Sequence, residues 1–291
     1  MLSRVQAARA ALAARVKQHP RLWRAAGKLD AVVRYWPHMR ARPRQAIKFL
    51  LQDPEYTNYT YEIANRDELA EFLGTTLQVD PVRVAGYVAE LEGDAVLREE
   101  LARLLSGRPD RRNIPLYGRR VGWYALVRLA RPRLIVEVGV HDGLGAAVLL
   151  EALYRNHAEG YPGRLIGVDL DPASGWLVPS RLRDGYELIV EHSAKALPKV
   201  VASREPVSLF IADGDHSEAG EYADYVAVQP GLARDAILLT DNARTCNALK
   251  RFAAANGRPF AFWAEQSVDH FWPGEGIGLS LPPNARETAT P

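Results

Sequence analysis

The sequence predicts an α/β protein: a doubly wound, Rossmann-like sheet of seven strands ending in an antiparallel hairpin, behind a helical N-terminal region. Three observations predict it. From Leu134 onward, short runs rich in Val, Ile and Leu alternate with helix-length segments, the pattern of a parallel sheet with helical crossovers. These runs are apolar almost throughout rather than at every second position, so both faces of the sheet should be covered. The last two runs are joined by a loop without a helix, which leaves them an antiparallel pairing.

Taken in order, residues 1 to about 112 read as helices. Val5, Leu12 and Val16 lie near one helical face, and Asp67–Leu73 closes on Gly74 as a helix stop. Val84–Leu91 and Ala95–Leu105 continue the helical pattern toward Gly107-Arg108-Pro109. The basic stretch Arg108–Arg112 is the expected boundary between a helical region, 1–112, and a ligand-binding domain, 113–291. The expected strands are Leu134–Val138, Leu165–Asp169, Glu187–Glu191, Val207–Asp213, Ala236–Asp241, Phe260–Ala264 and Ile277–Leu281. Helices are expected over Leu144–Asn156, Ala173–Arg183, Ala194–Val200, Glu218–Gln229 and Arg244–Asn256.

With 47% hydrophobic and 25% charged residues among 291, the composition is that of an ordinary globular protein. No apolar run approaches the roughly 20 residues of a membrane span, and the first residues alternate Ala with Arg rather than forming a secretory leader. One cysteine, Cys246, excludes an internal disulfide framework and a Cys-rich zinc site. A cytoplasmic location is expected. The net charge of +2 conceals twelve Lys and Arg against a single acid, Asp30, in residues 1–50. Such an arm suits a solvated helix packed on its own body or on a second subunit. It lacks the aromatic interleaving of a base-stacking surface, so neither nucleic acid nor membrane is the expected partner. A homodimer is expected from the complementarity of basic arm and acidic body.

The first strand runs into Glu137-Val138-Gly139-Val140-His141-Asp142-Gly143 and then a helix. Glycines at a strand-to-helix turn let the backbone approach a ligand and aim amides at it. The spacing is Gly-x-x-x-Gly-x-Gly rather than Gly-x-Gly-x-x-Gly. An acid two residues before the first glycine repels a pyrophosphate and suits an ammonium group. The second strand ends at Asp169, where a carboxylate can hold both ribose hydroxyls. The third leads to Ser193, whose hydroxyl can touch an adenine edge.

Glu137-x-Gly139-x-x-x-Gly143 and Gly167-Val168-Asp169-Leu170-Asp171-Pro172 resemble the first two motifs of class I methyltransferases, over roughly Arg131 to Leu281. The resemblance implies S-adenosylmethionine as cofactor, bound by Glu137, Gly139, His141, Gly143, Asp169, Ser193 and Asp213, with His141 near its methionine end. The fourth strand ends Asp213-Gly214-Asp215-His216 and the fifth Asp241-Asn242. Asp213, Asp241 and Asn242 offer oxygen ligands suited to Mg²⁺; Asp241-Asn242 could equally cap a helix. The set is similar to that of metal-dependent O-methyltransferases, the catechol and caffeoyl-CoA enzymes and those that methylate sugars. In that family the metal lowers the pKa of the acceptor hydroxyl. His216 stands where the catechol enzymes use a lysine, and Asp215 where sugar O-methyltransferases place a carboxylate base. His216 is the first candidate for the base and Asp215 the second, and the missing lysine argues against a close catechol-type enzyme.

The expected function is thus a divalent-metal-dependent O-methyltransferase acting on a hydroxyl of a small molecule, by preference a sugar or glycoside. An NAD-dependent oxidoreductase and a non-catalytic binding protein of the same fold are the alternatives. Further candidates are Tyr56, Asn58, Tyr59 and Tyr61 as an acceptor lid, Tyr117-Gly118-Arg119 as a segment passing over the cofactor, and His270, Trp272 and Glu275 in the final hairpin loop.

Overall fold

The computed structural model describes residues 20–51, 61–107, 115–203 and 205–283. Val5, Leu12 and Val16, the lid residues Tyr56, Asn58 and Tyr59, and the boundary Arg108–Arg112 lie outside them. The sheet orders its strands 3-2-1-4-5-7-6, where β1 is Leu134–Val138, β2 Arg164–Asp169, β3 Tyr186–Val190, β4 Val207–Ala212, β5 Leu232–Thr240, β6 Phe260–Trp263 and β7 Ile277–Ser280. The first five are parallel, and β7 enters antiparallel between β5 and β6. This is the doubly wound seven-stranded sheet with a terminal hairpin that the sequence predicts.

Before the sheet come α1 (Pro20–Ala41), α2 (Pro43–Leu51), α3 (Arg66–Leu77), α4 (Pro81–Glu92), α5 (Ala95–Ser106) and α6 (Arg120–Ala130). Within it lie α7 (Leu144–Ala158), α8 (Ser193–Ala202), α9 (Glu218–Val228) and α10 (Ala248–Ala255). None of the described helices is long and apolar enough to cross a membrane. The α4 and α5 N-termini are capped by Asp80 and Asp94, whose carboxylates accept N–H bonds from Val82 and Leu97 at 2.9 Å.

β1 shows how the sheet is sandwiched. Leu134, Val136 and Val138 point into one buried cluster with Ala196, Leu197, Tyr225 and Phe252 of α8, α9 and α10. Ile135 points into the other, shared with α6 and α7 and with Leu69, Leu73, Val88, Leu97 and Leu101 of α3, α4 and α5. These three helices are therefore built into the same core as the sheet. A third cluster joins Met39, Ala46 and Phe49 of α1 and α2 to Tyr61, Phe271 and Trp272.

Four local expectations need correction. Gly74 does not stop a helix: α3 continues to Leu77 and ends at Gln78 in the left-handed conformation. A side chain on Gly74 would overlap Pro81 Cγ, 2.8 Å from where its Cβ would stand, so this glycine serves packing rather than termination. No helix forms over 173–183, where turns lead to a short 3₁₀ segment, Ser180–Gly185. Pro172, Pro179 and the left-handed Gly175 (φ 76°) punctuate that stretch. Finally, α10 begins at Ala248 rather than Arg244, so Asp241-Asn242 caps no helix.

Candidate active site

A cavity of about 620 Å³ opens at the carboxyl edge of the sheet, beside the crossing from β1 to β4, where ligands bind in doubly wound sheets. Its walls include Glu137, Gly139, His141, Asp169, Ser193, Asp213, Asp215 and His216. Gly143 is not among the residues that line it. Both glycines stand where a side chain would collide with neighbouring backbone. Gly139 has φ 88°, and a Cβ there would stand 2.2 Å from the carbonyl oxygen of Asp213. Gly143 has φ 93°, and its Cβ would meet Gly175 Cα at 2.6 Å.

Glu137 sits on the α6–α7 side of β1 and is 1% exposed. Its Oε2 is buried without a hydrogen-bond partner among the described residues. Burial pushes its pKa up to about 8, against the pull of the Arg120 guanidinium. A buried carboxylate oxygen lacking a donor, on a cavity wall, is chemistry arranged for an ammonium group. Asp169 contrasts with it: its oxygens accept N–H bonds from His141 at 2.8 Å and Asp171 at 3.0 Å. Burial raises its pKa, yet these N–H bonds hold it below the ordinary carboxylate value. It remains an anion with spare lone pairs for a diol. Ser193 opens α8 on the cavity wall with its hydroxyl toward Asp224. His141, at φ 50°, lies on the wall with its ring mostly exposed, Nδ1 3.8 Å from Asp142.

The far side of the cavity is built differently. Asp241 is 0% exposed at the tip of β5 and is not part of the cavity wall. Both its oxygens are taken by the guanidinium of Arg119, Nε at 2.5 Å from Oδ1 and Nη2 on Oδ2. Arg119 Nη1 also donates to Glu265 Oε1 at 3.0 Å and to the Tyr61 hydroxyl at 3.2 Å. Glu265 in turn accepts the N–H groups of Glu275 and Gly276 at 2.6 and 3.1 Å. Tyr61 arrives because residues 62–64 pair with 266–268, Ala64 N–H to Gln266 O and Val268 N–H to Glu62 O, both 2.7 Å. Asp213 leans on this cluster. Burial and the charge of Asp241 raise its pKa well above the ordinary value, while Arg120, 3.8 Å away, opposes them.

Two of the three expected metal ligands, Asp241 and Asn242, have protein partners in this structure. Asp241 spends both oxygens on a buried guanidinium, and Asn242 contacts His216, amide nitrogen to Nδ1 at 2.7 Å. Among the described residues, no three His, Cys, Asp or Glu converge on a common point for an ion. With both Asp241 oxygens on the Arg119 guanidinium, this arrangement does not present that carboxylate to an ion.

His216 and Asp215 both face the cavity from exposed positions. The Ser217 N–H donates to Asp215 Oδ1 at 2.9 Å, holding that carboxyl below its usual range. His270, Trp272 and Glu275 are not on the wall. His270 is buried, accepts the Trp272 N–H at 2.9 Å and packs against Phe49 and Tyr61. Glu275 accepts from the Thr245 hydroxyl at 2.8 Å. Sequence reasoning missed Glu265 and Arg120, and it took Arg119 for part of a cofactor cover. The only signal was the Arg119-Arg120 pair, two cations entering a helix whose following residues are apolar.

Residues 136–243 match the model of the methyltransferase domain family. A search of curated proteins returned no match. Among solved structures, a methyltransferase from Geobacter sulfurreducens is 20% identical, covers 67% of this chain and 94% of its own, and superposes with a TM-score of 0.47. An O-methyltransferase from Streptomyces achromogenes involved in tomaymycin synthesis, in complex with S-adenosylmethionine, is 14% identical, with coverage of 77% and 92% and a TM-score of 0.45. An O-methyltransferase from Bacillus cereus in complex with S-adenosylhomocysteine is 13% identical, with coverage of 74% and 96% and a TM-score of 0.44. The matched segment, a little over a third of the chain, carries the glycine turn, Glu137, Asp169 and most of the cavity wall, and it is similar to a methyltransferase domain.

Proposed function

We propose that the protein transfers a methyl group from S-adenosylmethionine to a hydroxyl of a small molecule, a sugar or glycoside being the preferred acceptor. The observation that carries the cofactor side of this reading is the buried, partnerless Oε2 of Glu137 on the wall of a cavity that ends at Asp169. Glu137 would hold the ammonium of the cofactor, Asp169 its ribose hydroxyls and Ser193 its adenine edge, with Gly139 and Gly143 permitting close backbone approach. When bound, the cofactor supplies a methyl group on a sulfonium, open to in-line attack.

His216 is the proposed base. Its contact with Asn242 can be made in two ways, since amide oxygen and nitrogen are interchangeable by a flip. With the oxygen facing ring Nδ1–H, Nε2 is left free to accept the acceptor's proton, and the imidazolium that forms is stabilised. Asp215, kept ionised by Ser217 N–H, orients the acceptor or the ring. Hydroxyl-rich acceptors suit a wall carrying Asp213, Asp215 and His216. Residues 1–112 are proposed to serve as an oligomerisation or lid region, with the basic arm supporting a homodimer in the cytoplasm.

Two measurements test the reading. Calorimetry should show S-adenosylmethionine binding and no NAD binding. Methyl transfer across a panel of hydroxylated acceptors should fall about 10²–10⁴-fold in His216→Ala with cofactor affinity unchanged. Tight NAD binding, or full turnover by that variant, would refute it.

A further inference from the structure

The place beside Asp241 that a divalent cation would fill already holds a cation belonging to the chain. We propose that Arg119 replaces the metal: its guanidinium supplies the fixed positive charge at the tips of β4 and β5, and the protein neither binds nor needs a divalent ion there. The reaction half of this proposal rests on the methyltransferase reading; the binding half does not.

Three features of the cluster carry it. A guanidinium gripping both oxygens of one carboxylate is the fork geometry that Arg makes and a hydrated ion cannot share. Arg119 cannot swing aside, because Glu265 and Tyr61 hold its remaining nitrogen and it is 4% exposed. Glu265 is itself fixed by two backbone N–H groups and by Gly274, where a Cβ would overlap its side chain at 2.1 Å. The carboxylate is also out of reach from the cavity, since Asp213 forms the wall and Asp241 lies behind it.

The replacement has a consequence for substrate class. A metal recognises an acceptor by chelating two neighbouring oxygens, and a buried guanidinium behind Asp213 cannot. The acceptor is then recognised by hydrogen bonds to Asp213, Asp215 and His216, which do not require two neighbouring oxygens on one centre.

The test is a titration of the full-length protein, with S-adenosylhomocysteine present, with Mn²⁺, followed by electron paramagnetic resonance and by thermal melting. The expected result is no saturable Mn²⁺ site and the same melting midpoint with Mn²⁺ or chelator. Stoichiometric Mn²⁺ binding that Asp241→Asn abolishes would overturn the proposal. In Arg119→Met, which frees Asp241, Mn²⁺ should raise the melting midpoint although it leaves the parent unmoved. A folded variant indifferent to Mn²⁺ would show that this is not a cation site, and would also overturn it. If that variant does not fold, the parent's titration alone decides. Failure of the methyltransferase reading would show separately, as absent S-adenosylmethionine binding, with the Mn²⁺ result still standing.

Discussion

The two halves of the sheet's carboxyl edge solve opposite electrostatic problems. At β1 and β2, Glu137 is buried with an oxygen that no described residue satisfies. At β5, Asp241 is buried just as deeply but both oxygens are occupied by Arg119. The first half is incomplete without a ligand, and the second is complete without one. An unpaired buried charge costs free energy, and a paired one resists disruption. The β1–β2 half is thus where binding energy is to be gained, whereas the β4–β5 half is scaffold on which Asp213, Asp215 and His216 are mounted.

The largest effect that would break this comparison lies in the scaffold half. Arg119→Ala strands Asp241 and Glu265 as buried acids, and should lower unfolding free energy by about 3–5 kcal/mol. Urea denaturation of the ligand-free protein measures it. A loss below that of an ordinary surface pair would show that the cluster is solvated.

Next is Glu137→Gln, which keeps the shape and removes the charge. Loss of a hydrogen bond to a charged group is worth about 1.5–3 kcal/mol, roughly ten- to a hundredfold in S-adenosylmethionine affinity by calorimetry. The ligand-free variant should be more stable than the parent near neutral pH. Glu137 has its pKa raised from 4.5 to about 8 on folding, so the folded state holds that proton more tightly than the unfolded one. Its contribution therefore turns unfavourable as pH rises from 4.5 through about 8. The glutamine variant lacks this slope.

The same asymmetry divides what the sequence discloses. Glu137, Gly139 and Asp169 lie within a few residues of strand ends, and strand periodicity alone brings them to one cavity. Asp241 and Asn242 were also placed correctly at a strand tip. Their partners were not legible, because Arg119 reaches Asp241 across 122 residues and Tyr61 arrives through a two-stranded contact with the β6–β7 loop. Oxygen-bearing side chains at a strand tip suit an ion or an arginine equally; only the fold chooses. Likewise, Pro172, Gly175 and Pro179 ended a helix that composition alone suggested.

A third effect reads the ligand half through protons. Near pH 7 the ligand-free Glu137 carries its proton, and an ammonium beside it favours the ionised form. Cofactor binding should then release a proton, up to about one per site. Calorimetry at pH 7 in buffers of different ionisation enthalpy measures it. Binding without proton release would mean that the ammonium sits elsewhere.

The smallest effect probes whether the halves are independent. Tyr61→Phe removes one hydroxyl that accepts from Arg119 at 3.2 Å and is 3% exposed. Arg119 keeps Asp241 and Glu265, so the loss should be about 1 kcal/mol in unfolding free energy. Cofactor affinity should not change. Combined with Glu137→Gln, the two stability effects should add, since the sites make no direct contact and share only the charge of Asp241. A coupling as large as the tyrosine's own effect would mean that the Arg119 cluster and Glu137 communicate, through Arg120 and Asp213, and that the ligand half is tuned by the scaffold rather than merely mounted beside it.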